Sequence, residues 1–106
     1  MKTSSDKKPL LSVLVMAYKR KQFIWSAIGS VLEQTIQRSD YQIVCVVSFH
    51  DDNLSAFLQR NNIKEIFCDG KMGQTIAYGI AACSSDIVVF IEDDDKFRND
   101  KLERIL

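Results

Sequence analysis

The stretch LLSVLVMA, residues 10–17, is an eight-residue run in which Ser12 is the one polar residue. An unbroken run of leucine and valine of this length is typical of a β-strand that is covered on both faces. Strands of this kind occur mainly in parallel sheets that carry helices on both sides. The stretch therefore predicts an α/β fold, in which the rest of the chain supplies further strands and the covering helices.

Helix-type and strand-type apolar patterns alternate downstream of this stretch. Phe23, Ala27 and Val31 recur at helical spacing and predict an amphipathic helix of about three to four turns. Gly29 inside this helix costs about 1 kcal/mol relative to alanine, which suggests that it marks a position of close packing. Further strands are predicted at residues 42–49, 63–68 and 86–91, and further helices at residues 53–60, 74–83 and 99–106.

This alternation predicts βαβ units, and hence a Rossmann-like parallel sheet with flanking helices. Because βαβ crossovers are right-handed, the carboxyl ends of the strands are expected at one edge of the sheet, where open parallel sheets bind their ligands. Residues 1–9 are expected to form a flexible tail, so that the domain occupies residues 10–106. The segments predicted to reach the ligand-binding edge are residues 17–21, 48–52, 69–73 and 92–97.

The bulk composition favours one small globular domain. The chain has 106 residues, and its 14 basic residues balance its 14 acidic ones. A neutral chain is not expected to bind nucleic acid or an anionic membrane by charge. No apolar run approaches the roughly 20 residues that cross a bilayer, and the polar start lacks the apolar core of a signal peptide.

The cysteines bear on the expected location. There are three of them, without C-x-x-C spacing, and Cys45 lies inside the apolar run of the second predicted strand. Cys45 is therefore expected to be a buried structural thiol and not a redox or metal-binding one, and the cysteine pattern favours a reducing, cytoplasmic setting. A location at the periphery of a membrane would require further sequence or a partner.

Four carboxylates in a row, Glu92-Asp93-Asp94-Asp95, follow the last predicted strand, which is expected to be buried. Adjacent like charges raise one another's pKa, and a divalent cation removes this cost. Oxygen-rich ligand sets suit Mg or Mn rather than Zn. A solvated acidic turn at the start of the next helix is the alternative. The position at the ligand-binding edge of the sheet favours the metal site.

Four motifs resemble those of the family 2 glycosyltransferases. SVLVMAY at residues 12–18 is similar to the S-V-I-I-P-T-Y of their opening strand, and SVLEQT at residues 30–35 to their S-V-L-x-Q-T signature. FIEDDD at residues 90–95 resembles their F-L-D-D-D-D, which contains the D-x-D motif, and DKLE at residues 100–103 matches the D-K-L-E that follows. The resemblance runs from about Leu10 to the end, with the motifs in the family's order and spacing.

The resemblance implies a GT-A fold, of which this chain would be the nucleotide-sugar-binding half. It also implies metal-dependent transfer of a sugar from a nucleotide-diphosphate donor to an acceptor hydroxyl. Glu92 and Asp94 correspond to the first and third D-x-D positions, so Asp94, with Glu92, would bind the Mn or Mg. Glu92 and Asp93 would lie near the ribose and the metal's waters. Ala17 and Tyr18, at the end of the first strand, would line the donor site, with Tyr18 beside the base.

The second strand departs from the family's pattern. It normally ends V-V-D-D-G-S, and one of those aspartates contacts uracil, whereas residues 46–50 here read VVSFH. Asp51 and Asp52 come three to four residues late. Either the base is read by other groups, such as Ser48 or the main chain, or the donor is not a uridine nucleotide.

A second departure concerns the segment before the last strand. The family's A-R-N-x-G is TIAYG here, at residues 75–79, which keeps the glycine but loses the arginine and the asparagine. Lys71, just upstream, could supply a positive charge to the phosphates instead.

The chain is also short for the family. GT-A domains are about twice this long, and the catalytic base belongs to the acceptor half, so the base is unknown here and a truncated chain is expected. The acceptor, whether glycan, lipid or small molecule, and the stereochemistry are left open. A half-domain is expected to expose apolar surface and so to self-associate.

Two other functions compete with a transferase. A degenerate GT-A domain that binds a nucleotide or a partner without catalysis would fit the missing aspartates. A phospho-receiver domain is set aside, because its first strand ends in an acidic pair and this one ends Met16-Ala17-Tyr18. Among lesser candidates, His50 is expected to be a solvated loop residue, and Trp25 is expected to pack in the core or on the helix surface rather than to stack on a sugar.

Overall fold

The computed structural model describes residues 8–17, 21–68, 72–92 and 96–106. The predicted alternation of strands and helices is confirmed, although the boundaries shift by up to two residues. The strands are β1 (Leu11–Ala17), β2 (Tyr41–Val47), β3 (Lys64–Phe67) and β4 (Val88–Glu92). The helices are α1 (Lys21–Leu32), α2 (Asp52–Arg60), α3 (Met72–Ala82) and α4 (Lys101–Ile105), with a short 3₁₀ turn at Arg38–Asp40.

The four strands form one parallel sheet in the order β3-β2-β1-β4. β1 lies between two neighbours: Val13 pairs with Ile43 of β2 on one side and with Val89 of β4 on the other. All seven residues of β1 are buried. The expectation that residues 10–17 form a strand covered on both faces is therefore confirmed from Leu11 onward.

The helices cover the two faces unequally, and the strand order explains why. From β1 to β3 the chain moves in one direction across the sheet, and its right-handed crossovers place α1 and α2 on one face. The next connection returns past β2 and β1 to β4, so that α3 lies on the opposite face. Leu102 of α4 joins the same core cluster as the buried residues of α1 and α2. The smaller cluster beneath α3 contains Leu14, Met16, Val44, Val46 and Cys68.

The last strand, which the sequence predicts to be buried, is only partly buried. β4 is an edge strand of the described sheet, and Phe90 is 49% exposed while Ile91 is buried. An edge strand lacks a neighbour on one side, so its side chains are less covered than those of β1. Ile87, Tyr78 and Ile80 are also exposed. This apolar surface is of the kind expected from the sequence, and self-association through it stays a prediction.

Polar side chains close the amino edge of the sheet. The Ser12 hydroxyl donates to Gln42 Oε1 at 2.8 Å, and the Ser84 amide donates to the same oxygen at 2.9 Å. The Ser12 amide donates to the carbonyl of Ile87 at 2.8 Å. These bonds join β1, β2 and the start of β4, so they help to set the register in which β4 adds to the sheet.

The cysteines are free, and Cys45 and Cys68 are buried. Burial raises the pKa of the Cys45 thiol well above its usual range, with a further contribution from the negative charge of Glu65. A protonated thiol inside the sheet packs as a small apolar side chain, and the structural interpretation of Cys45 is confirmed. Within the described residues, no helix combines the length and apolar character that a membrane span requires.

Close packing occurs at Gly79, not at Gly29. A Cβ atom on Gly79 would lie 2.6 Å from Cδ1 of Leu14 and 3.1 Å from Cγ2 of Val46, so α3 approaches the sheet closely at this point. A Cβ on Gly29 would meet no atom within 4 Å. The glycine in α1 therefore carries the helix-propensity cost without the packing reason that the sequence suggested.

Alanine substitution of the two glycines should change stability in opposite directions. Gly29→Ala should raise the free energy of unfolding by up to about 1 kcal/mol, because alanine is the better helix former and the site is open. Gly79→Ala should lower it by about 1 kcal/mol, because overpacking against Leu14 outweighs the same propensity gain. Urea unfolding, with midpoints compared at equal m-values, measures both. Equal stabilisation by both changes would show that α3 can move away from the sheet without cost.

Candidate functional site

The carboxyl edge of the sheet contains a topological switch point between β1 and β4. The chain leaves β1 toward β2 on one side, and β4 joins β1 from the other side. In open α/β sheets, ligands bind in the crevice at such a point, outside the carboxyl ends of the strands. Met16 pairs with Glu92, and Ala17 pairs with Val47, so the end of β1 lies between the ends of β2 and β4.

Three of the predicted site residues are described and lie at this edge. Ala17 is the last residue of β1 and is fully buried. The amide of Ser48, which follows β2, donates to the carbonyl of Ala17 at 3.3 Å. The main chain of Glu92 ends β4 opposite Met16. The structure therefore brings Ala17, Ser48 and the start of the acidic run to one edge.

The other predicted site residues are Tyr18, Lys71, Asp93 and Asp94, and they lie outside the described residues. Among the side chains that are described, no three acidic, histidine or cysteine groups are placed together as metal ligands. The assignments of Asp94 and Glu92 to a metal, and of Tyr18, Lys71 and Asp93 to a donor, therefore stay predictions.

The late aspartates after β2 belong to the next helix. Asp51 is the N-cap of α2, and its carboxylate accepts a hydrogen bond from the Leu54 amide at 3.0 Å. Asp52 lies in the first turn of α2 and is exposed. A capping carboxylate satisfies a helix amide that would otherwise lack a partner. Asp51 thus has a structural role, and Ser48 is the polar side chain nearest the end of β2.

The two lesser candidates, His50 and Trp25, each pack against another aromatic ring. His50 is exposed, and its ring stacks on Phe67 of β3 with centroids 4.1 Å apart and planes 12° apart. Trp25 meets Phe57 of α2 edge to face at 5.0 Å. Trp25 is 42% exposed, so of the two predicted kinds of packing the structure shows the one on the helix surface. His50 is exposed as predicted, and its stacking on Phe67 was not predicted.

The segment after the acidic run is attached to α1. The amide of Phe97 donates to the Ser30 hydroxyl at 3.0 Å, and this hydroxyl donates in turn to the Ala27 carbonyl at 2.7 Å. Ser30 is buried and belongs to the last part of α1. Its hydroxyl acts both as a donor and as an acceptor, so it cannot easily be replaced by an apolar side chain.

Gln34 makes two further bonds to this segment and one to the end of α1. Its amide nitrogen donates to the carbonyls of Arg98, at 2.7 Å, and of Ser30, at 3.0 Å. Its amide oxygen accepts from the amide of Leu102, in the first turn of α4, at 2.9 Å. The side chain of Gln34 therefore joins the end of α1 to two points beyond the acidic run.

Thr35 completes the attachment. Its amide donates to the Asn99 carbonyl at 2.8 Å, and its hydroxyl donates to a carboxylate oxygen of Glu103. We call Ser30, Gln34 and Thr35 the α1 brace. These residues belong to the SVLEQT motif, and their role was not predictable because nothing in a sequence pairs residue 34 with residues 98 and 102.

The chain is similar to known glycosyltransferases in sequence. Residues 12–106 match the model of the family described as glycosyl transferase family 2. The chain is 34% identical over 104 residues to the "Uncharacterized glycosyltransferase alr2836" of Nostoc sp., covering 91% of this chain and 31% of that protein. It is 27% identical over 106 residues to the "Putative teichuronic acid biosynthesis glycosyltransferase TuaG" of Bacillus subtilis, covering 93% and 41%. The chain thus spans less than half the length of these relatives.

Solved structures share the fold. The structure of S. aureus TarS 1-349 in complex with UDP matches with a TM-score of 0.76 at 19% identity, covering 90% of this chain and 30% of that one. The mannosyltransferase PcManGT from Pyrobaculum calidifontis in complex with GDP-Man and Mn²⁺ matches with a TM-score of 0.69 at 18% identity, covering 87% and 29%. These matches confirm the predicted GT-A type of parallel sheet with flanking helices.

The capping role of Asp51 can be tested by stability. Asp51→Ala should lower the free energy of unfolding by about 1 kcal/mol, because the Leu54 amide loses its acceptor. Asp51→Ser should stay close to the parent, since serine is also a good N-cap. Urea unfolding of the two variants provides the measurement. A destabilisation of equal size in both variants would contradict a capping role.

Proposed function

Because the chain belongs to glycosyl transferase family 2, we propose that it binds a nucleotide-diphosphate sugar at the β1–β4 crevice for transfer of the sugar to an acceptor hydroxyl. The observation that carries this proposal is the pairing of Glu92 with Met16. It puts the first residue of the acidic run at the switch point of the sheet, where the fold presents its ligand. The solved neighbours in complex with UDP and with GDP-Man support a nucleotide donor.

The acidic run supplies oxygen ligands of the type that Mn and Mg prefer. Residues 92–95 are all carboxylates, with no thiol or imidazole among them. Hard divalent cations commonly use one or two protein carboxylates together with substrate phosphates. In the proposed site Asp94, with Glu92, holds the metal, while Asp93 lies near the ribose. When bound, the metal offsets the negative charge that builds on the departing diphosphate.

The base of the nucleotide would be bound at the carboxyl ends of β1 and β2. Ala17 and Tyr18 line this part of the proposed site, and Ser48 offers its hydroxyl in place of the family's aspartates. Since Asp51 is committed to capping α2, it is not assigned to the base. The loop lysine, Lys71, is proposed to face the donor phosphates. Titration with UDP and with GDP distinguishes uracil from guanine as the bound base.

The acceptor site and the catalytic base are assigned to no residue of this chain. The relatives that the chain matches extend well beyond the matched region, because the chain covers 31% and 41% of them. By the family resemblance, the catalytic base would be a carboxylate in the region by which these relatives extend beyond the match. The three free thiols of the chain support a reducing compartment such as the cytoplasm.

A non-catalytic binding domain is the second candidate. It is favoured by the end of β2, where Ser48 and Phe49 stand in place of the two aspartates and Asp51 caps a helix. Such a domain would keep the fold but would not need a metal to bind its ligand.

Calorimetric titration with UDP and GDP, each with and without Mn, separates the two candidates. Binding that requires Mn is the expected result for the transferase, and the preferred nucleotide would identify the base. Failure of both nucleotides to bind in the presence of Mn would contradict the proposed donor site.

Asp94→Ala should abolish the Mn-dependent binding and leave the fold intact. Removing one of four adjacent carboxylates relieves repulsion, so the thermal midpoint should stay unchanged or rise. Asp86→Ala is the matched control, because Asp86 is exposed just before the start of β4 and, among the described ion pairs, makes a surface pair with Lys8 at 3.1 Å. If Asp94→Ala bound the nucleotide as well as the control does, Asp94 would not be a metal ligand.

A further inference from the structure

We propose that Gln34 is a positioning residue for the donor site, because it holds the chain that leaves the acidic run. This inference rests on the proposed function and adds to it a residue outside the acidic motif. Gln34 is not assigned any contact with donor or metal. It acts through the main chain of the segment that follows residues 92–95.

The acidic run lies between two anchors. On its amino side the main chain of Glu92 is fixed by the pairing of β4 with Met16 of β1. On its carboxyl side the Phe97 amide is fixed by the Ser30 hydroxyl at 3.0 Å. Four residues, 93–96, separate the two anchored positions. The conformations available to so short a connection depend strongly on where its two ends are held.

Gln34 determines whether the second anchor stays in place. Its bond to the Arg98 carbonyl lies one residue beyond Phe97, and its bond to the Leu102 amide holds the first turn of α4. The N-cap of α4, Asp100, makes no capping bond with its side chain. The amide oxygen of Gln34 therefore satisfies a helix amide that the local sequence leaves open.

A glutamine is suited to this position because it carries donors and an acceptor on one planar group. The nitrogen donates to two carbonyls while the oxygen accepts from an amide, so one side chain serves three main-chain groups. Glutamate at this position would lack both donor hydrogens. Methionine, whose side chain is about as long as that of glutamine, would lose all three bonds. In metal sites, groups that hydrogen-bond directly to the ligands typically change affinity by about 10- to 100-fold when they are removed. Gln34 acts through the main chain and not on a ligand directly, so we expect an effect at the lower end of this range.

The test compares Gln34→Met with Gln37→Met. Gln37 lies three residues further on, is exposed and makes no capping bond with its side chain, so the same substitution there changes no described contact. Gly79→Ala, on the opposite face of the sheet, serves as a control for lowered stability. Ser30→Ala removes the other anchor independently and takes the place of Gln34→Met if that variant does not fold. The readouts are Mn-dependent nucleotide affinity by calorimetry and exchange of the Leu102 amide by NMR.

Gln34→Met should weaken the Mn-dependent binding roughly tenfold at a temperature where the variant is fully folded, and the Leu102 amide should exchange faster. Gln37→Met and Gly79→Ala should bind as the parent does. Parent-like affinity in Gln34→Met, or an equal loss in Gly79→Ala, would overturn the positioning role while the proposed function stands. Absence of Mn-dependent binding in the parent would instead refute the proposed function, and the inference would fall with it.

Discussion

The parallel pairing of β1 with β4 is the constraint on which the site depends. It converts a simple succession of strands into a sheet with a switch point, and it places Glu92 opposite Met16. A slip of one residue in this pairing would turn every side chain of β4 to the other face of the sheet. The hydrogen bonds of Ser12 to Gln42 and to the Ile87 carbonyl oppose such a slip from the far edge. Polar contacts at the amino edge of the sheet thus help to set the register that places Glu92 opposite Met16 at the carboxyl edge.

Helix α1 contributes side chains to the core and also contacts the segment that follows the acidic run. Its apolar residues, among them Ile24 and Ile28, are buried against the sheet, while its end provides the α1 brace that reaches the segment after β4. Close packing holds the helix rigidly on the sheet. The hydrogen bonds of the α1 brace therefore fix residues 97–102 relative to the sheet. α3, on the other face, makes no such connection among the described contacts and instead approaches the sheet closely at Gly79.

The fold was predictable because its strongest signal is local. The apolar run of residues 10–17 indicated a central strand, and the spacing of Ala27 and Val31 indicated the helix that covers it. Strand order is not encoded in such patterns, so the edge position of β4 and the exposure of Phe90 were missed. The two glycines also look alike in sequence, since only the approach of Leu14 distinguishes Gly79 from Gly29.

The sequence predicts where the candidate site lies, whereas the contacts that hold the segment after the acidic run were not predictable. Residue type and the end of a strand identified the acidic run, whereas Gln34 is an ordinary polar residue whose partners come more than sixty residues later in the chain. Asp51 shows the converse, because a carboxylate near the ligand-binding edge proved to cap a helix. Long-range hydrogen bonds depend on tertiary structure, and a single sequence does not report them.

The order of the strands also has a consequence for how the chain folds. β1, β2 and β3 can associate through near neighbours, whereas β4 must cross to the far side of β1 to pair Ser12 with Val88. Contacts between distant parts of a chain form slowly, because the loop between them must first be closed. During synthesis, the amino-terminal strands leave the ribosome long before β4 is available. The crevice between β1 and β4 therefore forms only when this last pairing is made, and until then β1 is open on the side that β4 covers.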